Sequence, residues 1–336
     1  MPIPLFWCCA PFLSKGILQC VKIFVRLGMV VSGVLSLIAL SVSVSQLLKL
    51  GIRQEDDIPV APIYHFSIYL PDTQDSFFTA IKRGVESAAE EQNVAVSYHS
   101  IDPVRLELQQ ASYTGVDGVA ICPYLDDVFA KTQIEKIVQK QIPVILINHL
   151  ILHDQPWPYI GPNSFDIGRK MGMLLSRLGH EPIRLAIVYS KKAPGIYAER
   201  ELVEMGLTSS IGNRLSTSIK SFYTGRNPLD AEMVMYRLLR EEPEINTLVF
   251  TDANDTIAAT QALIDMNLVG RIQIIGFGNE KSIIEYIHKG VIAGTIAINP
   301  ERIGYQAIKS LYELKATGYT STSVNTGVEI LDRSQS

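Results

Sequence analysis

Strand-length runs rich in β-branched residues alternate with helical stretches about ten times from Pro62 onward. The strand runs are IYHFSIYL (63–70), VAVSYHS (94–100), GVAIC (118–122), PVILIN (143–148) and YIG (159–161). They continue with RLAIVYS (184–190), SIKSFY (218–223), TLVFT (247–251), QIIGF (273–277) and GTIAI (294–298). These runs are continuous rather than alternating apolar and polar, which predicts burial on both faces. Helical periodicity fills the gaps. Ser76–Gln92 places Phe77, Ile81, Val85 and Ala88 on one face, Lys131–Gln141 uses Ile134, Ile137 and Val138, and Leu229–Arg240 uses Val234, Leu238 and Leu239. Asn254–Met266 and Ile303–Leu314 read likewise. Such an order demands parallel sheets covered by helices on both sides. Two sheets of five or six strands accommodate it better than one sheet of ten. The break falls after the PNS at 162–164, and the two halves agree in order but not in residues.

Before this region no residue is charged between Arg26 and Lys49, and the run LGMVVSGVLSLIALSVSVSQLL (27–48) is 22 residues long. About 20 such residues cross a bilayer core as a helix. Lys15, Lys22 and Arg26 precede the run, and the first acidic residue is Glu55. The positive-inside rule then keeps residues 1–26 in the cytoplasm and everything beyond the span outside, with 49–61 as a polar tether. The expected localisation is the cell membrane, single-pass, with lipid contact through 27–48. A cleaved signal peptide is the alternative, since Ser41 and Ser43 are small enough for a peptidase, but the run exceeds the usual 7–15-residue signal core.

Composition excludes several classes. With 30 basic and 34 acidic residues the net charge is −4, which does not favour a nucleic-acid partner. The 47% hydrophobic content argues against disorder, and four cysteines are too few for a disulfide scaffold. G-x-S-x-G, H-E-x-x-H, the phosphate-binding G-x-x-x-x-G-K-[ST] and C-x-x-C are all missing, so no enzyme, metal or cofactor is expected. His149 and His153 are spaced i,i+4 but lack a third ligand.

Ligands of open α/β sheets sit outside the carboxyl ends of the strands. Those ends carry Asp72, Asp75, Phe77 and Phe78 after the first strand, Cys122, Pro123 and Tyr124 after the third, and Asn148 and His149 after the fourth. The second half supplies Arg200, Asn254, Asp255, Phe277 and Asn279. Carboxylates, amides and a guanidinium form paired hydrogen bonds, and an aromatic ring can cover the C–H face of a sugar. A polyol held between two lobes fits this mixture. Each residue also has a plainer role open to it. Phe77 and Phe78 fit the core stripe of their helix, Asn254 and Asp255 suit a helix cap, Asn148 a turn, and Arg200 an ion pair with Glu199 or Glu204.

Pro62 to about Leu331 resembles the type I periplasmic binding proteins, in particular ribose and galactose binders, and the ligand domain of lactose-repressor-like regulators. The similarity rests on YLPDTQDSFFTAIKRGVESAAEE at the start, PVILIN, LVFTDANDTIAATQALIDM, IIGFGNE and GTIAINPERIGYQAIKSL. The resemblance implies two doubly wound parallel-sheet lobes joined by a three-segment hinge, preceded by one N-terminal transmembrane helix. The lobes would be 62–163 plus 299–323, and 164–298 plus 324–333, crossing near Asn163, Asn299 and Val324. It implies Phe77 and Phe78 as the ring-stacking pair, Asp75 as a hydroxyl partner, Asn148 in place of a sugar-binding Asp, Arg200 as the ligand arginine, Asn254 and Asp255 at hydroxyls, and Phe277 as a further aromatic. His149 stands where Arg is common, Cys122 where Asn is common, Ile298 where Gln is common, and Gly278 where a second Asp is common, with Asn279 as its substitute. The implied function is a non-catalytic solute-binding protein that closes on a small carbohydrate, a monosaccharide. The closed form would be read by a sugar ABC permease or a sensor histidine kinase. A purely sensory subunit for a histidine kinase with a non-sugar or degenerate site is one alternative, and an enzyme with Asp75 and Asp255 as its catalytic pair is another.

Overall fold

The computed structural model describes residues 14–52, 61–71, 75–101, 107–124, 127–151, 154, 157–178, 182–227 and 229–334. Residues 53–60 of the expected tether, Asp72 and His153 lie outside the described residues. The chain divides into Met1–Ala61 and Pro62–Ser336. The first unit contains helix α1 (Ser14–Ile52). Within it Val25–Leu47 spans 23 residues at a mean hydropathy of 2.2, with no part buried, long and apolar enough to cross a membrane.

The second unit begins with β1 (His65–Leu70), α2 (Ser76–Glu91), β2 (Ala95–Ser100), α3 (Glu107–Gln110), β3 (Gly118–Ile121), α4 (Asp127–Gln139), β4 (Val144–Ile147) and β5 (Tyr159–Gly161). Next come α5 (Ser164–Arg177), β6 (Leu185–Ser190), α6 (Pro194–Ala198), α7 (Arg200–Ile211), β7 (Lys220–Thr224), α8 (Asp230–Glu241) and β8 (Thr247–Phe250). The chain continues through α9 (Ala253–Asp265), β9 (Gln273–Phe277), α10 (Lys281–Lys289), β10 (Gly294–Ile298), α11 (Pro300–Thr317), β11 (Ser323–Asn325) and β12 (Val328–Asp332). One sheet runs β11-β5-β4-β3-β1-β2, the other β12-β10-β9-β8-β6-β7. The pairs are parallel except β10 with β12.

Alternate residues of a strand serve opposite faces. Phe66, Ile68 and Leu70 of β1 pack with α2 and α11, whereas Tyr69 joins Ile134 and Ile137 of α4 on the other side. In the second lobe Ile187 and Tyr189 face α5 and α7, while Ala186 and Val188 face α8 and α9. The central strands are therefore largely apolar on both faces, with Ser67, Thr247 and Thr295 as buried polar exceptions. Each fully buried aliphatic or aromatic side chain contributes about 1.5–3 kcal/mol.

The chain crosses between the lobes three times. The first two crossings end in asparagine caps: Asn163 Oδ1 accepts from the Asp166 N–H at 3.0 Å, and Asn299 Oδ1 from the Arg302 N–H at 2.9 Å. Such caps stabilise a helix start by about 1 kcal/mol. The third crossing follows β11, whose Val324 pairs with Ile160 of β5. Val324 and Asn325 thus stay with the first sheet, and the crossing falls at Thr326–Gly327 rather than at 324.

The helices entered from the first two crossings meet their neighbours through glycine. A Cβ on Gly84 of α2 would lie 1.9 Å from the Glu301 carbonyl oxygen of α11, and one on Gly304 would lie 2.0 Å from that of Ile81. The second lobe repeats this between α5 and α7, where a Cβ on Gly168 would lie 1.8 Å from the Val203 oxygen and one on Gly206 2.0 Å from that of Phe165.

Candidate functional site

A cavity of about 260 Å³ lies between the lobes, at the carboxyl ends of both sheets. The start of α2 forms one wall. Asp75 caps that helix, its Oδ1 accepting from the Phe77 N–H at 2.9 Å, which orients the two phenylalanines that follow. Their rings meet edge to face at 5.2 Å, and Phe78 meets Tyr124 in the same manner at 6.3 Å. Phe77 is half-buried; Phe78 is 3% exposed and shares the core with Ile81 and Val85, so it serves both core and wall.

Asn148 closes β4 at φ 60°, a conformation Asn tolerates better than most residues. The His149 N–H then turns back to the Ile147 carbonyl at 2.8 Å. The second lobe approaches here, since a Cβ on Gly195 would sit 2.2 Å from the Asn148 carbonyl oxygen.

The facing wall carries Lys192 after β6, Thr251 and Asp252 after β8, Phe277 at the end of β9, and Gly278, Asn279 and Glu280 after it. Lys192 Nζ donates to Asp255 Oδ1 at 2.5 Å and lies 3.6 Å from Asp252 Oδ1. Asp255 Oδ2 accepts from the Thr224 hydroxyl at 2.5 Å. Burial, then the neighbouring Asp255 charge, pushes Asp252 from 3.8 up to about 6, against the pull of Lys192. Burial draws the Lys192 pKa down, but hydrogen bonding to Asp255 and the charges of both aspartates more than reverse this. The lobes also touch directly. Ser76 Oγ donates to Glu280 Oε1 at 3.2 Å, and the Arg226 guanidinium stands 5.1 Å over the Tyr124 ring.

Of the residues expected at a ligand, Asp75, Phe77, Phe78, Asn148, Phe277 and Asn279 line this cavity. His149, Arg200, Asn254 and Asp255 do not. The turn at Asn148 sends His149 into the first lobe, where it is 4% exposed with Nε2 3.1 Å from Asp127 Oδ1. Helix α6 intervenes after β6, so Arg200 opens the next helix instead of facing the cavity, and its guanidinium donates to the Tyr197 carbonyl at 3.4 Å. Helix α9 starts at Ala253 with Asp252 as its cap, which leaves Asn254 exposed on the first turn and buries Asp255 behind Lys192. Cys122 is fully buried, its thiol raised by burial to about 12. Gly278 has φ +97°, a backbone conformation that strains any side chain, and a Cβ there would lie 2.7 Å from Ala253 Cβ, so this turn disfavours an aspartate.

Lys192, Asp252 and Glu280 escaped the sequence reading. A stricter use of strand ends would have found Lys192, two residues past β6, and Asp252, two past β8.

The comparisons agree with this architecture. A family model described as periplasmic binding protein domain matches residues 66–319. GanP, a glucose-galactose binding protein from Geobacillus stearothermophilus, superposes with a TM-score of 0.72 at 23% identity, covering 81% of this chain and 98% of that one. A carbohydrate transporter solute binding protein from Agrobacterium radiobacter, in complex with D-arabinose, gives 0.71 at 17% identity over 81% and 95%. XylFII in the XylFII-LytSN complex gives 0.69 at 22% identity over 83% and 100%. No curated protein matches the chain. With two doubly wound lobes, three crossings, a cavity between them and a family match over most of its length, the chain belongs to the periplasmic binding protein domain family.

Proposed function

We propose that this chain is a membrane-anchored, extracytoplasmic binding protein that closes its two lobes on a small carbohydrate and makes or breaks no bond. The cavity carries this reading. Aromatic residues of both lobes line it, Phe77 and Phe78 on one side and Phe277 on the other, together with the polar groups of Asp75, Asn148, Asp252 and Asn279. Rings cover the C–H face of a pyranose while carboxylates and amides take its hydroxyls. Ligand binding would favour the closed arrangement, to which the Ser76–Glu280 and Arg226–Tyr124 contacts belong. Residues Val25–Leu47 support anchoring. Isothermal titration of the full chain, in a detergent without a sugar headgroup, against pentoses and hexoses tests the claim; silence across the panel removes it.

The closed form is read by a membrane partner, either a sugar importer permease or a sensor histidine kinase. The anchor helix and the likeness to XylFII in its complex with LytSN favour the sensory partner. Co-purification from native membranes separates the two: permease subunits would support delivery, a histidine kinase would support sensing.

A further inference from the structure

At the edge of the first sheet two imidazoles converge on one hydroxyl. β2 is the end strand, and it pairs with β1 so that Ser97 stands beside Ser67 and His99 beside Tyr69. His65 Nε2 and His99 Nε2 each lie 3.1 Å from Ser97 Oγ. Ser67 Oγ lies 3.0 Å from the same oxygen and 3.4 Å from His99 Nε2. Ser97 carries one hydroxyl hydrogen, so it can donate to only one of the two ring nitrogens. The His99 ring is held in place. It stacks on Tyr69 at 5.0 Å, and its Nδ1 faces Glu107 Oε2 at 3.7 Å. That oxygen is itself anchored by the Ser100 N–H at 2.7 Å. A carboxylate behind Nδ1 favours the proton there and leaves the Nε2 lone pair aimed at Ser97, as in histidines that bind metals. Solvent reaches the cluster: His65 is exposed, Ser97 is half-buried and the His99 side chain is 31% exposed. Among the described residues no three His, Cys, Asp or Glu side chains gather as a metal site. The donor set is therefore two imidazoles, the Ser97 hydroxyl between them, and water.

We propose that His65 and His99 bind a divalent cation of the zinc class through their Nε2 atoms, with Glu107 positioning His99. The ion pins edge strand β2 to β1. Imidazole suits such ions, whereas magnesium and calcium call for oxygen ligands. None of these residues lines the cavity between the lobes, so the outcome is independent of the carbohydrate reading.

The test titrates zinc chloride calorimetrically into the detergent-solubilised full chain, without a histidine tag and with its reactive cysteines alkylated; Cys122 is buried. His65→Ala removes one ligand and keeps the contacts among Ser67, Ser97 and His99. Its metal-free melting temperature should stay within about 2 °C of the parent, as for an exposed residue. The parent should bind one zinc ion more than this variant, which sets aside any zinc held by other histidines. At about 100 times its dissociation constant, zinc should raise the parent melting temperature by about 5–11 °C, a gain that His65→Ala loses. Glu107→Gln should keep the stoichiometry and weaken the ion by about 10- to 100-fold. Equal stoichiometry in parent and His65→Ala, an equal gain in melting temperature, or magnesium chloride binding as tightly as zinc would each overturn the proposal, leaving a hydrogen-bond network alone. Unchanged zinc affinity in Glu107→Gln would overturn the positioning role given to that carboxylate.

Discussion

Replacing Lys192 by Met isolates the charge cluster behind the cavity. In the parent, Lys192 is paired with Asp255, which is 1% exposed, and with Asp252, which is 7% exposed. Methionine preserves much of the stem volume but withdraws the cation. Removing one partner of a buried ion pair costs about 3–5 kcal/mol, because the other charge is left uncompensated. Asp255 retains the Thr224 hydroxyl, and Asp252 retains the Asp255 N–H. Those bonds place the loss at the lower end, about 3 kcal/mol. For a domain of this size 1 kcal/mol moves the melting temperature by about 2–4 °C, so calorimetry should record a fall of about 6–12 °C. Adding Asp255→Asn to the variant should recover part of it, since the stranded charge is then gone. A fall below about 2 °C, or a double variant less stable than the single, would refute the idea that Lys192 neutralises this cluster.

Asp252 sets a pH window. The folded state holds its proton up to about 6, whereas the unfolded chain releases it near 3.8. Between these values the folded state binds more protons, so stability falls as pH rises from about 4 to 6. Urea midpoints should show this slope, and Asp252→Asn, which caps α9 equally well, should flatten it; parallel profiles would contradict the shift. Gly84→Ala drives a methyl into the Glu301 carbonyl and should cost about 2–3 kcal/mol in denaturant titrations. Arg226→Ala removes the cation over Tyr124, about 0.5–1 kcal/mol at an exposed site, and should weaken ligand about two- to fivefold with an unchanged melting temperature of the unliganded protein.

The strands that sequence periodicity located, β1 to β10, include those buried on both faces, where continuous apolar residues leave a strong signal. The two it missed differ physically. β11 is three residues, Ser323–Asn325, with no buried side chain, and β12 alternates buried and partly exposed positions as an antiparallel edge. Part of the cavity is legible for a related reason. Phe77, Phe78 and Phe277 follow directly from a strand or a capped helix start, so their positions are set locally. Arg200 and Asn254 were placed by likeness of loop sequence, but where a loop side chain points depends on where the next helix begins. Helix α6 intervenes before Arg200, and the cap at Asp252 starts α9 two residues earlier than a cap at Asn254 would.

The glycine contacts of α2 with α11 and α5 with α7 also bear on how the two halves could swing. Backbone pressed on backbone leaves no compressible layer of side chains to absorb shear. The polypeptide enters α5 and α11 straight from a crossing, so torque arriving there meets stiff plates. Rotation must then concentrate in the few residues around Asn163, Asn299 and Thr326–Gly327, making those links the place where swing amplitude could be tuned without touching either plate.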